Sequence, residues 1–186
     1  MISVVFIRHG ATEGNIQKKY IGRTDEPLCD LGISQAHGLR EHKFPAEYIF
    51  VSPMKRAMQT AEVVFPSCEY IVVDDFKETD FGIFEGKSSL ELADNKDYKA
   101  WVDSDCTLPI PNGEDVESFK KRCIDAFTKA VHSLPDGSSA SFVVHGGVIM
   151  AIMEAFCADG GNFYDYHIAN GEFLTCRFEN GKLYKK

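Results

Sequence analysis

Two segments of this chain put a histidine immediately before glycine, and each follows an apolar run. Ile2 to Ile7 leads into Arg8-His9-Gly10, and Ser141 to Val144 leads into His145-Gly146-Gly147. A third run, Tyr48 to Val51, is followed by Ser52-Pro53 and then Arg56. If these runs are parallel strands, their carboxyl ends share one edge of the sheet, where open α/β sheets bind ligands. Two histidines and two arginines would then meet from distant parts of the chain. Arginine offers a planar fork of donors matched to phosphate. A histidine between arginines is held neutral and can act as a nucleophile. Phosphoryl transfer needs positioning and charge stabilisation above all. The sequence has no P-loop, H-x-H, H-E-x-x-H or D-x-D-x-D pattern, so covalent catalysis through phosphohistidine fits better than metal-activated water. No cofactor and no metal are expected.

The elements that must position these groups alternate. Strands are predicted over Ile2–Ile7, Tyr48–Val51, Tyr70–Val73 and Ser141–Val144. Helices are predicted over Leu31–His42, Met54–Phe65, Ser88–Asp103 in one or two pieces, and Val148–Cys157. Val116, Phe119, Cys123, Phe127, Ala130 and Leu134 recur at helical spacing and predict a long amphipathic helix. Glu172–Phe178 and Leu183–Lys185 form a closing hairpin with Asn180-Gly181 at its turn. This alternation predicts an α/β fold, a three-layer α/β/α sandwich around a mostly parallel central sheet.

Six blocks of the chain, in order, resemble the histidine phosphatase superfamily, also called phosphoglycerate mutase-like. Arg8-His9-Gly10-Ala11-Thr12-Glu13-Gly14-Asn15 resembles the R-H-G-x-T-x-x-N signature. Tyr20 to Leu28, with Leu31-Gly32 and Gln35-Ala36, is similar to the second block. Ser52 to Ala61 resembles S-x-x-x-R-A-x-Q-T-A, and Glu78 to Gly86 resembles E-x-x-F-G-x-W-E-G. Pro111-Asn112-Gly113-Glu114 and Val143 to Gly147 complete the set. Ala11 stands where many members carry Glu or Gln, and Phe84 replaces the frequent Trp.

The resemblance implies a role for each matching residue. His9 is the nucleophile, and Arg8, Arg56 and His145 bind the phosphoryl oxygens. Asn15 helps hold the phosphate or orient its neighbours. Glu78 protonates the leaving alkoxide and then activates water, which a monoester with a poor leaving group requires. Thr12, Gly22 and Arg23 are further candidates for phosphate binding. Glu85 reads as structural, and Glu114 suits the start of the long helix whatever its function. His37, His42, His132 and His167 lack a motif and are expected on the surface.

The resemblance also implies one histidine phosphatase domain over residues 1–186, with a cap or insert around 76–113. The expected activity is hydrolysis of a small phosphorylated metabolite. The pattern is closest to bacterial α-ribazole phosphatases, which act on α-ribazole 5′-phosphate in cobalamin synthesis. Alternatives are a phosphoglycerate mutase, a broad-specificity sugar-phosphate phosphatase, or a non-catalytic phosphate-binding module. The compact spacing of the blocks favours hydrolysis over a mutase. Ser88 to Pro111 is expected to wall the outer pocket, with Tyr98 and Trp101 either in a core under the cap or stacked on an aromatic substrate.

Composition sets the remaining bounds. The 186 residues are 44% hydrophobic and 26% charged, enough apolar material for a core. Lys and Arg total 20 against 28 Asp and Glu, a net charge of −8. That balance disfavours nucleic acid, yet a pocket can be locally basic on an acidic protein. VIMAIMEAFCA is broken by Glu154 and is too short to span a bilayer. Six scattered cysteines without a secretory pattern predict reduced, buried thiols in a cytoplasmic protein, as monomer or homodimer.

Overall fold

The computed structural model describes residues 1–45 and 47–186. Among these residues six strands form one sheet: β1 (Ile2–Arg8), β2 (Tyr48–Val51), β3 (Ile71–Val72), β4 (Ser139–Val144), β5 (Phe173–Glu179) and β6 (Lys182–Lys185). Their order is β3-β2-β4-β1-β5-β6. β3, β2, β4 and β1 run parallel, whereas β5 pairs antiparallel with both β1 and β6. The helices are α1 (Glu13–Ile16), α2 (Asp30–Arg40), α3 (Lys55–Val64), α4 (Lys96–Asp103), α5 (Val116–His132) and α6 (Gly146–Phe156).

Strand side chains alternate between faces, and both faces of the central strands are apolar. Val4, Phe6, Phe142 and Val144 pack against Phe119, Cys123 and Phe127 of α5 and Ile149, Ile152 and Met153 of α6. Val5, Ile7, Ile49, Val51 and Val143 pack on the opposite side against Leu39 of α2 and Ala57, Ala61 and Val64 of α3. This is the expected three-layer α/β/α sandwich. A third, smaller cluster of Phe84, Leu92, Tyr98, Trp101 and Ile110 lies outside those layers.

The register brings the chemistry together. Arg8 is paired with Val144 and Val51 with Val143. The next residues, His9, Ser52 and His145, therefore leave three adjacent strands at one edge. His9 N–H donates to the Val144 carbonyl at 3.1 Å, and Ser52 N–H to Val143 at 3.1 Å.

Several local expectations change. The helix expected from Ser88 begins only at Lys96, because the Asn95 side chain accepts from Tyr98 N–H and caps a fresh start there. Residues 89–94 are turns. β3 is two residues long and exposed on the sheet edge. α6 starts at Gly146 rather than Val148, directly after the histidine. All six cysteines are free, but only Cys123, Cys157 and Cys176 are buried. Cys29, Cys68 and Cys106 are half-buried in connections, whereas Cys157, also in a connection, packs into the main core. No helix among the described residues is long and apolar enough to cross a membrane.

Candidate active site

His9 is 4% exposed at the end of β1. Its Nδ1–H donates to the Gly10 carbonyl at 2.7 Å, which leaves the Nε2 lone pair free. Arg56 Nε–H points at that lone pair from 3.3 Å. Arg56 is itself fully buried on α3. Its Nη1 donates to the Thr24 carbonyl at 2.9 Å and its Nη2 to the Gly22 carbonyl at 2.8 Å. The His145 ring lies 5.0 Å from the His9 ring, centroid to centroid. His145 Nε2 is 2.7 Å from the Ser52 hydroxyl. Arg8 donates through Nη1 to the Ile168 carbonyl at 2.6 Å. Two buried polar atoms in this group, Arg8 Nε and His145 Nδ1, have no partner among the described residues.

Burial holds the His9 imidazole well below its ordinary value of 6.5, and the charges of Arg56 and Arg8 push the same way against the Gly10 carbonyl. Burial does the same to His145, helped by Arg56, His9 and Arg8. Both rings are neutral in the folded chain at pH 7. The unfolded chain therefore binds more protons below about pH 6.5, and stability falls as pH drops from there toward the depressed native values. Each ring contributes up to about 1.4 kcal/mol per pH unit. Urea midpoints should decline between pH 7 and 5.5, and a double His9→Asn, His145→Asn variant should flatten that slope. An equal slope in both proteins would contradict it.

Glu78 reaches the site from the loop before Gly82. It is 9% exposed. Its Oε1 accepts from Thr79 N–H and its Oε2 from Gly147 N–H, both at 2.9 Å. A Cβ on Gly147 would collide with Glu78 Oε1, so only glycine lets the carboxylate sit on the first turn of α6. Arg122 of α5 holds the loop in place. It donates to the carbonyls of Asp75, Lys77 and Glu78 and forms a paired contact with both Glu114 oxygens at 2.6 and 2.7 Å. Glu114 thus serves this clamp, and Asp115 caps the long helix instead.

The other candidates are placed differently. Asn15 lines the cavity, and its Oδ1 accepts from Thr12 N–H and Asn170 Nδ2. Thr12 is buried, and its hydroxyl accepts from Asn15 N–H as a helix cap. Gly22 N–H is committed to the Glu85 carboxylate, which also accepts from Arg23 N–H, Phe81 N–H and the Thr24 hydroxyl. A Cβ at Gly22 would strike the Thr79 carbonyl, so this crowded loop needs glycine. Arg23 pairs with Glu114 at 3.5 Å. Among the described residues no cluster of three or more His, Cys, Asp or Glu is gathered as a metal site.

Sequence reasoning missed residues from the loop before β5. Asn170 Nδ2 donates to the His9 carbonyl at 3.2 Å, and Gly171 N–H donates to the same oxygen at 3.1 Å. The β1–β5 register carries that signal, since Ile7 opposite Phe173 puts residue 171 beside His9. His167 is exposed as expected, yet its Nε2 accepts from Arg8 Nη1 at 3.2 Å and it lines the cavity. That cavity, about 370 Å³, has Arg8, Asn15 and Glu78 in its lining. Trp101, Asp105 to Thr107 and Ile110 form part of the expected outer wall. Phe119 of α5 and Phe163 and Tyr164 of the loop after α6 supply further walls. Trp101 belongs to both the small core and the cavity, while Tyr98 is core, its hydroxyl 2.9 Å from that of Tyr20.

One edge of the middle layer of this α/β/α protein gathers two neutral histidines and Arg8, with Arg56 supplied by α3, a donor set that can hold an anion such as a phosphoryl group. The chain matches the model of the histidine phosphatase superfamily, branch 1, over residues 4–185, and it belongs to that family. It is 33% identical to the Bacillus subtilis protein named "Uncharacterized phosphatase PhoE" over 98% of this chain and 91% of that one. A phosphoserine phosphatase from Entamoeba histolytica, solved in complex with 3-phosphoglyceric acid, is 25% identical with a TM-score of 0.85, covering 100% of this chain and 95% of that one. The α-ribazole phosphatase of Shigella flexneri shares the fold, with a TM-score of 0.89 at 20% identity, covering 99% and 94%. The protein is an enzyme of the phosphatase and mutase superfamily, of phosphatase type.

Proposed function

We propose that the protein hydrolyses a small phosphomonoester through a phosphohistidine on His9. One observation carries this reading: the neutral His9 adjoins Arg8 in sequence and the His145 ring at 5.0 Å, and each of those two has a buried polar atom, Arg8 Nε and His145 Nδ1, without a partner among the described residues. Buried polar groups are normally satisfied. A phosphoryl group over His9 Nε2 would satisfy both and would take over the Arg56 Nε–H. In the first step His9 Nε2 bonds to phosphorus as the ester oxygen leaves, and Glu78 gives that oxygen a proton. In the second, Glu78 takes a proton from water as its oxygen bonds to phosphorus and the bond to Nε2 breaks. Inorganic phosphate departs and Glu78 is again protonated. Asn15 orients the nucleophile's surroundings together with Asn170. Thr12, Gly22 and Arg23 act through the loops they brace.

Residues 76–113 then serve as a cap that supplies Glu78 and one wall of the chamber. The Entamoeba histolytica neighbour's complex with 3-phosphoglyceric acid supports a small phosphorylated metabolite. The aromatic walls, Tyr20, Phe81, Trp101, Phe119, Phe163 and Tyr164, favour an alcohol with an apolar or aromatic body. α-Ribazole 5′-phosphate, with an aromatic base on a phosphorylated ribose, meets that description. A small carboxylate such as 3-phosphoglycerate suits the chamber less, because Lys120, one of its two lysines, is paired with Glu154 at 2.7 Å. Six unpaired thiols suit a reducing, cytoplasmic setting, which forms part of the proposal.

A steady-state panel tests this reading. It compares α-ribazole 5′-phosphate, 3-phosphoglycerate, sugar phosphates and a phosphotyrosine peptide, with products identified. The expected result is release of inorganic phosphate with the highest kcat/KM on an aromatic-bearing ester. Predominant exchange of phosphate between the 2- and 3-positions of glycerate would overturn it in favour of a mutase.

A further inference from the structure

We propose that Ser52 fixes His145 as its Nδ1-protonated tautomer, and so makes it a hydrogen-bond donor to the phosphoryl group. The proposal rests on the reading of His145 as a phosphate ligand given above. Ser52 is fully buried at the end of β2. Among the described residues its Oγ has two neighbours within hydrogen-bond reach: it accepts from Met54 N–H at 3.4 Å and stands 2.7 Å from His145 Nε2. Proton direction follows from what each arrangement leaves unmade. If His145 donated through Nε2, the buried Ser52 hydroxyl proton would have no acceptor among the described residues. His145 Nδ1 would then be a bare lone pair in a site for an anion. If Ser52 donates, its proton is satisfied, and the one unpartnered group left is an N–H on Nδ1. The second arrangement leaves unmade only the bond that substrate would make.

His9 is held the other way round. Its Nδ1–H is tied to the Gly10 carbonyl, and Nε2 carries the lone pair, which meets Arg56 Nε–H. The two rings, 5.0 Å apart, are thus set in opposite tautomers by two different neighbours. One presents a lone pair to phosphorus and the other an N–H to oxygen. Burial and the nearby arginines keep His145 uncharged, so its donor capacity depends on the tautomer rather than on a second proton. Ser52 touches neither substrate nor the reacting atoms and acts as a positioning residue.

Nitrogen-15 imidazole shifts of the free enzyme test this directly, alongside the affinity for inorganic phosphate. Wild-type protein should show His145 protonated at Nδ1. Ser52→Ala should shift His145 toward the Nε2-protonated form and weaken phosphate binding by about 10- to 100-fold. Ser52→Thr, which keeps the hydroxyl, should restore both. An unchanged His145 tautomer in Ser52→Ala, or phosphate affinity within twofold of wild type, overturns the proposal. Should Ser52→Ala fail to fold, the wild-type shifts alone decide it: His145 protonated at Nε2 in the free enzyme overturns the proposal. Failure of the underlying reading is visible separately: His145→Ala would then bind inorganic phosphate as tightly as wild type.

Discussion

Replacing His9 by Ala is expected to abolish turnover, by on the order of 10⁴-fold or more, and to remove the phosphoenzyme altogether. The size follows from the proposed mechanism, in which no neighbour can substitute. His145, whose ring lies 5.0 Å away, has its Nε2 occupied by Ser52, and His167 is turned to Arg8. Rapid quenching into base after mixing with labelled ester should trap a phosphoramidate in the wild-type protein and nothing in the variant. Binding should survive, because Arg8, Arg56 and His145 remain. Arg56 Nε–H, freed from the His9 lone pair, would turn wholly to phosphate. His9→Ala should therefore still bind inorganic phosphate within about tenfold of wild type. A variant that retains either turnover or a trapped phosphoenzyme would remove His9 from the role of nucleophile.

The second large effect belongs to Glu78→Gln, and it should depend on the leaving group. An alkoxide departs poorly without a proton, so alkyl phosphates should lose about 10²- to 10⁴-fold in kcat. p-Nitrophenyl phosphate, whose leaving group needs little protonation, should lose less than about tenfold. The substitution has a structural cost of its own. Both Glu78 oxygens accept backbone N–H groups, from Thr79 and Gly147. A glutamine amide can satisfy one and must turn its NH₂ toward the other, at a cost of about 1–3 kcal/mol. Thermal unfolding measured beside the kinetics separates that cost from the chemistry, since a loosened site would slow both esters alike. Equal losses on both esters in a stably folded variant would sink Glu78 as the acid.

Strand ends were legible because two signals coincide there. Apolar runs over Ile2–Ile7 and Ser141–Val144 define buried parallel strands, and the residues after them must lie at one sheet edge. That placement alone puts His9, His145 and Arg56 together. What stayed hidden depends on contacts that no local pattern records. Asn170 reaches His9 because β5 turns back antiparallel beside β1. His167 and Tyr164 meet the cavity from a loop whose course is set by packing. The commitment of Gly22 N–H to Glu85, 63 positions away in sequence, is likewise a tertiary fact. In the segment 88–103, a capping asparagine outweighed the helical pattern by restarting the helix at Lys96.

Arg56 holds two parts of the molecule at once. Its guanidinium spans the carbonyls of Gly22 and Thr24 while its Nε–H meets His9 Nε2, so one fully buried cation both closes the 21–24 loop and faces the proposed nucleophile. Removing it leaves those carbonyls without a donor and the loop without an anchor. An inactive Arg56 variant would thus look the same whether phosphate binding or loop closure had been lost. Adding guanidinium from solution could return charge to the vacated space, but it could not re-tie the loop to α3. Partial chemical rescue with an undiminished defect in stability would therefore separate the two jobs of a single side chain.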